Sequence, residues 1–220
     1  MKVATLVILT LSFVAAGWAG DPSERIFLSE VHYSPDGDSP PPFIELYNGS
    51  KTNVKLGGWS VKISAKTGES TARLPNDAVI PSCGFYLIGN SDDRAQWEKR
   101  TFKPDYYCKL PLDFSTAGGG VKLLLPSGAV RDVVGWGRGA PFGFYEGTPH
   151  QTVDDGHSLE RKSSPTHSEV NGNSYDRDDN SGDLRERSTP QPQNINSPRE
   201  YPPAVTGNES WSRIKAMYAG

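Results

Sequence analysis

The chain has 220 residues, with 23 Lys and Arg against 26 Asp and Glu, two Cys, 23 Gly and 18 Pro, which suits one ordinary domain with polar extensions and argues against two large domains. Apolar residues make up 35%, below ordinary globular usage, so part of the chain stands outside any packed core. A net charge of -3 with no long run of either sign gives a general nucleic-acid role no electrostatic support.

In chain order, residues 1–19 read as a secretory signal peptide. Lys2 is a short positive region, Val3 to Ala16 an apolar run, and Gly17-Trp18-Ala19 a small-residue site that places cleavage after Ala19. An uncleaved anchor is the rival reading, but the run is shorter than the roughly 18 apolar residues that favour spanning. The expectation is therefore a secreted or cell-envelope protein with no membrane span in the mature chain. A short leader, 20–25, follows.

Residues 26–162 carry the strands. Ile26 to Tyr33 (IFLSEVHY) stops at the turn cluster Ser34-Pro35-Asp36-Gly37, as a strand with a defined end does. In Phe43 to Asn48 (FIELYN), Ile44 and Leu46 share one face and Phe43, Glu45 and Tyr47 the other. Trp59 to Ser64 (WSVKIS) has the cleanest period-2 alternation in the chain and predicts a half-buried strand. Lys66-Thr67-Gly68 predicts a hairpin turn, Arg73-Leu74-Pro75 a short edge, and Gly84 to Gly89 (GFYLIG) another strand. A polar excursion over 90–105 holds one helical turn around Ala95-Gln96-Trp97. Val121 to Leu125 and Ala129 to Trp136 read as two strands about Pro126-Ser127-Gly128, and His157 to Lys162 (HSLERK) as a last short one. Many short strands separated by Gly, Pro and Asn turns predict an all-β sandwich.

From Arg161 to Ser210 the only apolar residues are Val170, Tyr175, Leu184, Ile195, Tyr201, Ala204 and Val205, too few for a second core. Segment 163–196 reads as a polar closing piece of the domain, and 197–209 belongs to a stiff Pro-rich linker that starts near Ser188. The last residues, 210–220, form a short amphipathic tail with Trp211, Ile214 and Met217 at helical spacing. They are docking candidates, with a frayed terminus as the alternative.

These segments, in this order, resemble the lamin tail domain family of immunoglobulin-like β-sandwiches, found in nuclear lamins and in many secreted bacterial and archaeal proteins. IFLSEVHY, FIELYN, LGGWSV at Leu56, LPNDAVIPSCGFYLIG at Leu74, GGGVKLLLPSGAVRDVVGW at Gly118, GHSLERK at Gly156, DRDDNSGDL at Asp176 and STPQPQN at Ser188 each look like the corresponding family segment. The resemblance runs from about Ile26 to about Asn196. It implies a secreted prokaryotic module, non-catalytic, that attaches to a surface protein or polysaccharide. Cys83 and the excursion after Asn90 depart from the family pattern.

Several residues are candidates for chemistry. Export would place Cys83 and Cys108 in an oxidising compartment, where one intramolecular disulfide is the expectation and two buried thiols the alternative. No G-x-S-x-G, H-E-x-x-H or P-loop motif is present, so no catalytic residue is assigned. Glu30 and Glu45 would face each other on paired strands, as the two carboxylates of a glycosidase do. A structural hydrogen bond is the stronger reading, and a secreted nuclease-like or glycosidase-like hydrolase using acidic residues is the alternative function. His32, His150, His157 and His167 are dispersed, so no metal triad is expected. Asp176, Asp178 and Asn180 match the first three alternate positions of an EF-hand loop, but Ser181 takes the Gly position and Arg187 the bidentate Glu position. With Asp183 they remain candidates for a weaker calcium-stabilised loop, the one cofactor expectation. Trp136, Phe142, Phe144 and Tyr145 crowd a Gly-rich region and are the binding-surface candidates.

Overall fold

The computed structural model describes residues 21–33, 36–37, 39–65, 68–110 and 118–203; the signal segment and the tail with Trp211, Ile214 and Met217 lie outside these. A 3-10 turn, Pro22–Arg25, is capped by the Asp21 side chain on the Ser23 amide. The strands are β1 (Ile26–His32), β2 (Phe43–Asn48), β3 (Val54–Lys55), β4 (Ser60–Ala65), β5 (Gly68–Arg73), β6 (Val79–Ile80), β7 (Phe85–Asn90), β8 (Tyr106–Cys108), β9 (Gly119–Leu124), β10 (Val130–Trp136), β11 (Ser158–Arg161) and β12 (Leu184–Arg187). A second 3-10 turn, Ser91–Asp93, leads into the single-turn helix α1 (Arg94–Trp97), and α2 (Asn180–Asp183) is another single turn.

A six-stranded sheet, ordered β12-β11-β1-β2-β7-β8, packs on a four-stranded one, β10-β9-β4-β5. The pair β3-β6 forms a separate two-stranded ribbon whose Val54 and Ile80 join the core. All pairings are antiparallel except β7 with β8. The core between the sheets takes Ile26, Leu28, Val31 and Tyr33 from the first strand and its end. Ile44, Leu46, Tyr86 and Ile88 join them, opposite Val61, Ile63, Val121, Leu123, Val134 and Trp136. The spacing 26, 28, 31, 33 breaks the period of two because the β1–β2 register shifts between Leu28 and Glu30. That bulge returns Val31 to the core and turns Ser29, Glu30 and His32 outward.

The larger sheet is buried on both faces. Phe27, Tyr47 and Phe85 form one outer cluster, and Phe43, Leu87 and Trp97 another under α1. What covers this face differs from the sequence expectation. The Pro-rich segment after Ser188 lies along the sheet as a strap, with Pro190, Asn194 and Ser197 buried. The polar closing segment also contributes β12, whose Leu184 enters the main core. A polar segment needs no core of its own when it caps an existing sheet by hydrogen bonds, so residues from Ser188 that composition describes as a stiff linker pack on the sheet.

The two cysteines correct another expectation: Cys83 and Cys108 are free, buried thiols. Cys108 pairs with Asn90 at one end of β7, whereas Cys83 precedes Phe85 at the other. The five steps from Phe85 to Asn90 alone span about 16 Å at strand rise, and a disulfide requires Cα atoms within about 7 Å.

Candidate functional site

Glu30 pairs in register with Glu45 on one side and Glu160 on the other. Three carboxylates therefore line up across three adjacent strands on the outer face. Glu45 is fully buried, Glu30 is 2% exposed and Glu160 6%. Each is held. Ser158 Oγ donates to Glu30 at 2.5 Å and Ser29 Oγ to Glu45 at 2.8 Å. The strap then bonds from above: the Gln191 amide donates to Glu30 at 3.2 Å and the Gln193 amide to Glu45 at 2.5 Å. Pro190 and Pro192 have no N–H, so in Pro-Gln-Pro-Gln every second residue offers an amide to the row below. Glu160 is bound by Arg187 Nη1 at 2.9 and 3.0 Å and by Arg185 Nε at 2.6 Å.

Burial, reinforced by the neighbouring Glu160, pushes Glu30 up to about 8, and burial beside Glu30 raises Glu45 well above the usual carboxylate range. Such shifts suit a general acid, but here each carboxylate is roofed by the strap and bonded to it. The pair that sequence reading placed face to face thus forms a clasp between the sheet and the strap.

A second ionic centre lies between the sheets. Arg161 has no exposed surface; its Nη2 donates to Asp132 at 2.7 Å, its Nε to the Leu28 carbonyl at 3.1 Å, and its Nη1 to the Tyr175 carbonyl at 3.1 Å. Asp132 returns a bond from the Leu28 amide at 2.7 Å, so the guanidinium and carboxylate together satisfy the backbone at the β1 bulge. Asp176 stands 3.5 Å from Arg161 Nη1. Burial raises Asp132 to about 6 despite Arg161, and burial beside Asp132 raises Glu146 to about 9.

The acidic loop is built around this centre. Asn180 Oδ1 accepts from the Gly135 and Glu146 amides at 2.8 and 3.1 Å, and its Nδ2 donates to the Val133 carbonyl at 2.9 Å. Asp183 Oδ2 accepts from the Arg177 and Asp179 amides at 2.7 and 3.1 Å. Asp178 takes the left-handed conformation, φ 60°, and its amide reaches Asp176 at 3.3 Å. Of the four calcium candidates, Asn180 and Asp183 thus spend oxygens on backbone amides, and Asp176 gathers with Asp132 and Glu146 instead.

The aromatic candidates separate. Trp136 is fully buried and stacks on Tyr33 at 4.3 Å. Phe144 is 3% exposed, with Lys122 Nζ 4.4 Å from its ring. It lies where Gly120 and Gly135, cross-strand partners, leave no Cβ in its way. Tyr145 is half-buried and Phe142 is 96% exposed. Only Phe142 among the four presents its whole ring to solvent.

Sequence reading missed a groove of about 690 Å³ beside the strap, where Trp97, Lys99, Arg100 and Phe102 face Pro190, Pro192 and Pro198. Its walls come from the chain-specific excursion after Asn90 and from the strap, two segments that carry no signal of proximity. Phe102 is 47% exposed.

Fold and site together define an immunoglobulin-like β-sandwich module. The lamin tail domain family model matches residues 20–138, and the chain belongs to that family, a domain family with no known catalytic role. The strands β11 and β12 and the strap lie beyond the matched residues. A crystal structure of a DUF4876 family protein from Bacteroides thetaiotaomicron VPI-5482 is similar in fold, with TM-score 0.57 at 12% identity, covering 82% of this chain and 75% of that one. No curated protein matches the chain. No helix among the described residues is long and apolar enough to cross a membrane.

Proposed function

We propose that the protein is an exported, non-catalytic module that binds a surface protein or polysaccharide. The observation that carries this reading is the closure of the Glu30–Glu45 pair: both carboxylates are buried under the strap and bonded to Ser158, Ser29, Gln191 and Gln193. A substrate reaching them would have to lift the strap. A surface suited to recognition is the groove, where exposed Lys99 and Phe102 stand beside prolines. An aromatic ring, cationic heads and rigid proline edges suit an extended polar chain with apolar faces.

The test is co-sedimentation of the purified chain with the envelope fraction of its source cells. Binding should be retained by Glu45→Gln and fall at least fivefold in a Lys99→Glu, Phe102→Ala double variant. Hydrolysis of nucleic-acid or glycan substrates by the wild type, lost in Glu45→Gln with the fold intact, would overturn the proposal in favour of a hydrolase.

A further inference from the structure

The turn before β11 and the strand β12 bring together three side chains that the family reading does not use. The His157 amide donates to the Asp154 carbonyl at 3.1 Å, closing a turn that sets the two side chains side by side. Glu186 lies opposite Leu159 in the β11–β12 register and reaches over the same turn. Its Oε1 accepts from the Asp154 amide at 3.0 Å and meets His157 Nδ1 at 2.6 Å. One ligand atom from each of Asp154, His157 and Glu186 lies within 4.8 Å of the other two.

We propose that Asp154, His157 and Glu186 form a surface site for a divalent first-row transition metal ion of the zinc class. An imidazole with two carboxylates is a mixed nitrogen and oxygen set, which favours such ions over calcium or magnesium. The three ligand atoms come from two separate segments, the turn before β11 and the strand β12, held in register by the bond from the Asp154 amide to Glu186.

Two other carboxylate groups have stronger internal compensation. Glu160 and Glu169, near His167, are taken by Arg185 and Arg187, and Asp132 and Asp176, near Glu146, share Arg161. Neither Asp154 nor Glu186 is paired with an arginine among the described residues. On binding, the ion replaces the proton between His157 and Glu186, which moves to Nε2 of the ring or to solvent. With the turn and β12 cross-linked in this way, the ion also fastens the end of the six-stranded sheet.

Calorimetric titration of the purified, metal-free chain with zinc chloride tests the site, with calcium chloride as the comparison ion. One zinc per chain is expected, with at least tenfold weaker binding in both His157→Ala and Glu186→Gln. Asp154→Asn, which leaves the backbone bond to Glu186 in place, should weaken binding without altering the circular dichroism spectrum, and His167→Ala should bind as the wild type. Absence of zinc binding, calcium binding of equal strength, or zinc binding that survives both Glu186→Gln and His157→Ala would overturn the proposal.

Discussion

At Arg161 a guanidinium with no exposed surface meets two carboxylates and two backbone carbonyls. Removing one member of such a centre leaves the others charged and buried, which costs about 3 to 5 kcal/mol. Arg161→Met should therefore lose about that much stability in urea titration, whereas an exposed pair such as Lys109–Asp92 should contribute within about 1 kcal/mol. The cysteines are a milder case. Burial pushes Cys108 up to about 12 and raises Cys83 as well, so neither offers an available thiolate at neutral pH. Both should resist an aromatic disulfide reagent in the native protein and react on unfolding, and intact mass should be unchanged by reduction.

The strands show what the sequence made legible. In β4, Val61 and Ile63 enter the core between half-buried Ser60 and Lys62, as their alternation predicts, and the hairpins β4–β5 and β9–β10 form where their turn residues predict. The bulge in β1 was present in the apolar spacing 26, 28, 31, 33 as a step of three within steps of two. The seat of Phe144 was harder to see. Gly120 and Gly135 are adjacent across β9 and β10, and a Cβ at either would collide with the Phe144 carbonyl. Glycine in mid-strand marks a close backbone approach, but nothing local names the approaching segment. Gly135→Val should displace the loop carrying Phe144 and cost about 2 to 3 kcal/mol, read as a lower midpoint in chemical denaturation. The strap was hidden for a related reason. Gln191 and Gln193 are tied to Glu30 and Glu45, about 150 residues earlier, so composition alone described the segment as a linker. The alternation of proline with amide-bearing residues was the available signal.

Across the whole molecule, stability should follow pH through its buried acids and His32. Burial lowers His32 to about 4, so it stays neutral in the fold while the unfolded chain takes up a proton below about 6.5. This contribution is lost as pH falls from about 6.5 to 4. Glu30 acts in the opposite direction. Its folded pKa, about 8, lies above its ordinary 4.5, so the fold binds the extra proton between those values, and stability declines as pH rises through that window. Glu45 and Glu146, raised by burial for the same reason, add to the decline. A protein whose acids are closed beneath a strap should therefore tolerate mild acid better than mild alkali, until His32 takes up its proton.

The most direct measurement is thermal unfolding of the wild type and Glu30→Gln from pH 5 to pH 9. The amide oxygen preserves acceptance from Ser158 and the Gln191 amide but has no proton to lose. The account predicts similar stability near pH 5 and a gap that opens in favour of Glu30→Gln toward pH 9, reaching roughly 2 to 4 kcal/mol. A gap that stays constant across the range, or closes as pH rises, would mean that Glu30 is ionised and open to solvent in the native protein, which would contradict the clasp and return the carboxylate pair to consideration as an active site.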